Sequence, residues 1–231
     1  TKGFDKINLL DLGSGRGGDI FKWGSLKINR VYGVDPDVSS VEEAINRYKK
    51  NRRKCVSKVS FYKRSATDTG FITDKILHKR KVNMVSCMFA LHYFFENPQL
   101  LDKFFSTVSE NLCSGGVFIG IAPDSKYILK LLDPEDKYKN PNVLISSNED
   151  QSYNFKIRDK KGDDYFSFKG ESKEFLIDKT IFIKNAEKFG LKPIQVNKHY
   201  GAFTNLIDGN GLGGNSNSIS QLYFLFSFLK V

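Results

Sequence analysis

A chain of 231 residues fits one hydrophobic core, and 40% hydrophobic residues with 20 Phe and 10 Tyr fill it amply, which excludes a disordered chain. A net charge of +10 favours polyanionic partners such as RNA or DNA, while no charge-free apolar run approaches the roughly 20 residues of a bilayer span. Cys55, Cys87 and Cys113 lack the spacing of a zinc site and read as reduced thiols of an intracellular protein, in cytoplasm or nucleus.

The chain starts at Thr1 and a strand pattern begins at Ile7, so we expect one domain, 1–231, cut from a longer polypeptide. Ile7 to Leu12 reads as a strand that runs into a glycine cluster and then a helix from Asp19. A second strand over Arg30 to Val34 and a helix capped at Asp37-Val38-Ser39 complete a βαβ unit. Phe61-Tyr62 predicts a short third strand and Val82 to Phe89 a buried fourth. Leu100 to Leu112 carries its apolar residues at helical spacing, Ser114-Gly115-Gly116 ends that helix, and Val117 to Ala122 forms a strand closed by Pro123.

From Asp124 to about Gly170 the pattern turns polar, with alternating pieces at Ser152 to Ile157 and Tyr165 to Phe168 that suggest inserted hairpins. A helix over Asp178 to Phe189, a strand at Ile194 to Val196, a loop over Asn205 to Ser218 and a Phe-rich strand over Gln221 to Leu229 finish the chain. This alternation predicts an α/β fold with a mostly parallel sheet and helices on both faces. Ligands then belong at the carboxyl ends of the strands, where Leu12, Asp35, Phe89 and Pro123 converge.

Gly13, Gly15 and Gly18 have GxGxxG spacing, and Asp35 lies about 20 residues further on, a pattern that also matches a nicotinamide dinucleotide site. The acids separate the two readings. Asp19 at the helix start would repel a pyrophosphate, whereas it and Asp11 suit the cationic sulfonium and amine of S-adenosylmethionine. Asp35 is expected to accept from both ribose hydroxyls and to have little structural role.

The segment Leu10-Asp11-Leu12-Gly13-Ser14-Gly15-Arg16-Gly17-Gly18-Asp19-Ile20-Phe21-Lys22-Trp23 resembles the signature loop of mRNA cap guanine-N7 methyltransferases. Asp35 with Val38-Ser39 and Arg47-Tyr48, Phe89 to Phe95 with His92-Tyr93, Glu174-Phe175-Leu176, and Tyr223 resemble further segments of that family, in the same order. The resemblance implies a Rossmann-like S-adenosylmethionine-dependent methyltransferase fold, with a small inserted β-rich segment over 124–175 contributing to the cap pocket. It implies S-adenosylmethionine as cofactor, S-adenosylhomocysteine as product, no metal, and the capped 5′ end of mRNA as partner.

Carried over residue by residue, the resemblance assigns cofactor binding to Gly13, Asp35, Asp68, Met88 and Tyr93. It assigns cap binding to Arg16, Lys22, Arg47, His92, Glu174 and Tyr223. Met88 stands where the family usually has glutamine, and the family's basic motif ahead of the glycine-loop strand is not in this chain. Guanine N7 carries no proton, so no general base is expected, and His92, Tyr93 and Glu174 are positioning groups. The composition suits one domain of a viral multifunctional capping enzyme, with guanylyltransferase and triphosphatase domains in the same polypeptide. A catalytically silent cap- or RNA-binding subunit is the alternative, and the intact Gly13, Gly15, Asp19 and Asp35 argue against it.

Overall fold

A computed structural model describes residues 6–55, 57–140, 143–157, 172–194 and 222–231, together with the backbone of 203–205. The chain opens on the expected βαβ unit: β1 (Asn8–Leu12), α1 (Ile20–Ser25), β2 (Arg30–Asp35), α2 (Val38–Asn51) and β3 (Lys58–Lys63). A short helix α3 (Thr69–Phe71) runs into a π-helical turn (Ile72–Ile76), followed by β4 (Val82–Met88), a 3-10 turn (Leu91–Glu96), α4 (Pro98–Asn111) and β5 (Leu112–Pro123). Then come α5 (Ser125–Leu131), β6 (Lys137–Lys139), β7 (Val143–Ser147), β8 (Ser152–Ile157) and β9 (Ser172–Phe175). The chain ends through α6 (Lys179–Lys188), β10 (Leu191–Pro193), β11 (Phe203–Asn205) and β12 (Tyr223–Lys230).

Among the described residues, eight strands form one sheet in the order β10-β12-β5-β4-β1-β2-β3, with β11 also on β12. The path from β3 to β5 is parallel, and β12 runs antiparallel to β5, β10 and β11. Side chains alternate across β1: Leu10 and Leu12 enter the core under α4 and α6, while Leu9 packs on the other face with Ile20 and Trp23 of α1. Both faces of the sheet are therefore covered. The phenylalanines fill the larger core, where Phe118 lies 5.0 Å from Phe226 and Phe182 lies 5.0 Å from Phe228, ring centre to ring centre. Among the described residues five helices start on a side-chain cap: Asp37, Asp68, Asn97, Asp124 and Asp178 each accept from an N–H of the first turn.

The second sheet, β6-β7-β8-β9, is antiparallel and encloses its own small core of Ile128, Val143, Ile145, Tyr153 and Phe155. The sequence predicted hairpins here from polar pieces. It gave no sign of α5, whose apolar residues are too few to show a period, or of β7.

Several boundaries move. The long helix spans Pro98–Asn111 because Asn97 accepts from Leu100 N–H at 2.9 Å, and it passes straight into β5 at Leu112. Ser114-Gly115-Gly116 therefore lies inside a strand: five steps of β5, Leu112 to Val117, match two steps of β4, Val82 to Met84, so the glycines form a bulge. The third strand extends to six residues, and a strand over Leu191–Pro193, paired with β12, lies just ahead of the one expected at Ile194 to Val196, of which only Ile194 is described. Tyr165 to Phe168, Val196, Gln221 and the expected loop beyond Asn205 lie outside the described residues. Among the described residues no helix is long and apolar enough to cross a membrane.

Gly120 marks where the sheet is tightest. A Cβ there would fall inside the van der Waals radii of the Cys87 carbonyl oxygen and the Phe226 ring. Gly120→Ala should lower stability by about 2–4 kcal/mol, read from urea unfolding. A wild-type midpoint and slope would show that this crossing of β4, β5 and β12 is looser than described.

Candidate active site at the carboxyl edge of the sheet

The five parallel strands all end on one edge, and the loops that follow them form two halves of a single rim. The first half is the glycine loop. Gly13 N–H and Ser14 N–H both donate to the Val34 carbonyl, at 2.8 and 3.1 Å, which folds the loop back over β2. Gly13 takes φ +78°, and a Cβ on it would sit 2.5 Å from the Ala90 methyl carbon, so only glycine lets the two halves meet. Gly15 takes φ +48° and a Cβ there would meet nothing within 4 Å, so its backbone faces open space at the rim.

Asp35 closes this half. Its two carboxylate oxygens accept from Gly15 N–H at 2.8 Å and from Asp37 N–H at 2.9 Å. Burial raises its pKa above the usual value, and the two N–H bonds oppose that rise. The expected absence of a structural role is thus corrected: Asp35 fastens the loop to the start of α2. Each oxygen keeps a second lone pair for an external hydroxyl.

Three cap-assigned cations flank this loop. Arg16 lies in the loop itself, and Lys22 on α1 pairs with Asp19, whose carboxylate makes no helix cap. The acid expected to repel a pyrophosphate is therefore partly neutralised by its own neighbour. Gly17 lies against Ala44 of α2, and Arg47, one turn further along, forms a 3.7 Å pair with Glu43. Asp68, beyond the end of β3, caps α3 by accepting from Phe71 N–H at 3.4 Å and lies 3.9 Å from Arg64. Asp68 thus belongs to a helix-starting turn, and the Arg64 N–H bond to the Asp35 carbonyl at 3.0 Å keeps that turn beside the rim.

The second half begins where β4 ends at Met88. Phe89 adopts φ +58°, a left-handed conformation that a bulky side chain rarely takes, and its N–H donates to the Ile121 carbonyl at 2.9 Å. The turn sets the Phe89 ring edge-on to Tyr223 at 5.0 Å and sends the 3-10 turn under the small sheet. His92 is 2% exposed there, and neither ring nitrogen has a hydrogen-bond partner. Burial lowers its pKa more than Glu174 raises it, so the ring is neutral near pH 7. Tyr93 lies 4.1 Å from His92, ring to ring, and remains partly exposed.

Glu174 of β9 faces His92, Oε2 to Nε2 at 3.9 Å. It is buried, within a strand. Its oxygens accept from Tyr153 Oη–H at 2.6 Å and from Ser172 Oγ–H at 3.1 Å. These two hydroxyl residues were missed by the sequence reading, and the alternation of β8 was the only signal that Tyr153 points inward. Burial, then the fields of Glu174 and Asp35, push the Tyr93 hydroxyl up to about 12, so both halves of the rim act on one group. Burial raises Tyr153 and Tyr223 as well.

With this geometry in view, residues 1–214 match the mRNA (guanine-N(7))-methyltransferase domain. The chain belongs to that family. It is 36% identical over 132 residues to an mRNA cap guanine-N(7) methyltransferase of Arabidopsis thaliana, covering 54% of this chain and 35% of that protein. It is 28% identical over 204 residues to the mRNA cap guanine-N(7) methyltransferase of Drosophila melanogaster, covering 81% of this chain and 46% of that protein. The chain thus spans under half the length of these relatives.

Among solved structures, an S-adenosylmethionine-dependent methyltransferase of Clostridium acetobutylicum superposes with TM-score 0.61 at 16% identity, covering 96% of this chain and 83% of that one. A glycopeptide N-methyltransferase bound to S-adenosyl-L-homocysteine gives TM-score 0.63 at 13% identity, covering 99% and 85%. The fold is that of S-adenosylmethionine-dependent methyltransferases. Among the described residues no cluster of His, Cys, Asp and Glu could hold a metal ion.

One acid behaves differently from its expected part beside a cationic ligand. Asp11 is buried within the sheet, hydrogen-bonded to Ser86 of β4, and burial lifts its pKa from 3.8 to about 7. Because the folded chain holds this proton where the unfolded chain has released it, stability from this group is full below pH 4 and is lost as pH rises to 7. The loss should be on the order of 4 kcal/mol. Asp11→Asn should therefore gain stability over the wild type between pH 4 and pH 7 and hold that gain above it, measured by urea unfolding. A difference that does not change with pH would contradict the burial of this carboxyl.

Proposed function

We propose that this chain is the methyltransferase that carries a methyl group from S-adenosylmethionine to N7 of the guanine capping an mRNA. The observation that carries the reading is the buried Glu174 carboxylate, set by Tyr153 and Ser172 opposite an unpartnered, neutral His92, on the same rim as the glycine loop. Family membership supports it, since the relatives named above are cap guanine-N7 enzymes.

The loop residues fit the cofactor. Gly15 presents bare backbone to open space, and Asp35 retains a lone pair on each oxygen for the ribose hydroxyls. Gly13, Asp68, Met88 and Tyr93 would complete that site, with Met88 offering an apolar contact to the adenine where the family usually has glutamine. When bound, S-adenosylmethionine supplies an electrophilic methyl group on a sulfonium.

The chain's own residues then orient the second substrate. Glu174 has one lone pair left on each oxygen, which matches the paired donors of the guanine edge, N1–H and the exocyclic amine. Adenine cannot present that pair. His92 and Tyr93 position the base, Tyr223 lies alongside it, and Arg16, Lys22 and Arg47 neutralise the triphosphate bridge. N7 attacks through an in-plane lone pair with no proton to lose, so none of these residues needs to act as a base. Alignment alone can supply about 7 to 11 kcal/mol.

Glu174→Gln keeps the shape but turns an acceptor into a donor facing another donor. Methyl transfer from labelled cofactor to GpppA-capped RNA should fall about a hundredfold, with uncapped RNA inert throughout. Cofactor affinity, measured by titration calorimetry on the same preparation, should be unchanged. Near-normal methylation by the Gln variant would remove Glu174 from substrate recognition, and methylation of uncapped RNA by the wild type would overturn the assignment to the cap.

A further inference from the structure

The edge of the sheet opposite the rim holds a feature that cap methylation does not use. Asn8, Arg30 and Val82 are the first residues of β1, β2 and β4, and between their ends lies a cavity of about 210 Å³. Asn8, Asn29, Arg30, Tyr32, Arg80 and Lys81 line it, with the apolar Leu77 and Val82 behind them. Among the described residues that line it, three are cations and none is an acid.

The local backbone explains how two of those cations reach the opening. The π-helical turn closes with Leu77 N–H on the Ile72 carbonyl at 2.9 Å. His78 and Lys79 then take φ of 50° and 60°, two left-handed residues in succession, and Arg80 N–H returns to the Leu77 carbonyl at 3.0 Å. This tight reversal delivers Arg80 and Lys81 beside Arg30. The Lys81 ammonium donates to the Glu110 backbone carbonyl, a neutral acceptor that leaves its charge uncancelled. Arg30 leans toward the Tyr32 ring at 5.8 Å, which also leaves its charge in place. Lys58 extends the row: it begins β3 at the same edge, and its N–H donates to the Asn29 carbonyl at 3.1 Å.

We propose that this amino-edge cavity is a phosphate subsite for single-stranded RNA, holding the backbone of a transcript whose capped end lies at the rim. The inference rests on the reading of the substrate as capped RNA. Cations in a row along strand starts suit a polymer with evenly repeated charges better than one small anion. The pocket is concave and polar, so it holds a phosphate without reading a base. The six residues of β2 separate the two edges by about 17 Å, so a dinucleotide cap analogue reaches only the rim while a longer RNA spans both.

The test is binding of fluorescently labelled, uncapped single-stranded RNA to the 231-residue chain, followed by anisotropy across a salt series. Arg80→Ala with Lys81→Ala should weaken RNA binding roughly threefold to thirtyfold and lower the salt slope by about 0.7 for each phosphate no longer neutralised. The charge-conserving pair Arg80→Lys with Lys81→Arg should retain the affinity, and methylation of GpppA dinucleotide should not change in either variant. Unaltered RNA affinity and slope in the Ala pair would overturn the proposal, as would an equal loss of GpppA methylation. Displacement of the RNA by polyglutamate at equal charge would reassign the cavity to an acidic polypeptide. If the wild type fails to methylate GpppA yet its RNA binding depends on Arg80 and Lys81, the cap reading falls and this one stands.

Discussion

A carboxylate buried without a charged partner is costly unless donors surround it, and Glu174 is the point at which this fold accepts that cost. Tyr153 and Ser172 supply two donors, and the ring facing it, His92, is held neutral by its own burial. The neighbouring Lys173 turns outward to Asp150, so the adjacent cation does not quench the site. Two unused acceptor lone pairs therefore remain where the small sheet meets the 3-10 turn.

The glycine loop answers to a different constraint. Gly13 must lie against Ala90 for the two halves of the rim to close, and Asp35 must hold Gly15 for the loop to keep its shape. Asp35 therefore links the glycine loop to the placement of α2, on which Ala44 lies against Gly17 and Arg47 sits one turn further along. Under the proposed function a change at Asp35 would act on loop structure and ligand contact together, whereas a change at Glu174 would act on the second substrate.

Much of this was legible in the sequence, for identifiable reasons. The apolar runs Ile7 to Leu12 and Val82 to Phe89, and the period of the helix before Gly115, are long enough to show their secondary structure, and the parallel order followed from their alternation. Glu174 was found only through the order of motifs, because a single Glu in Lys-Glu-Phe-Leu carries no sign of burial. Tyr153 was missed because its partner is distant in sequence: the Tyr153–Glu174 bond spans 21 residues and depends on strand register. Ser172 stands two residues before Glu174 and shares its face only because β9 is extended, which the short segment does not announce. The dual role of Asp35 was hidden for the same reason, since its bond to Gly15 crosses the whole βαβ unit. The glycines at 115 and 116 read as a stop signal but serve as a bulge, because local sequence does not distinguish a turn from an extra residue in a ladder.

The account depends most on guanine recognition by Glu174, and equilibrium binding tests it without relying on turnover. Titration calorimetry of the chain, with S-adenosylhomocysteine present, should compare GpppA with ApppA, which differ at the base that Glu174 would read. A preference for GpppA of about a hundredfold or more is predicted, because adenine leaves both acceptors of the buried carboxylate unpaired. Equal affinity for the two would contradict the account.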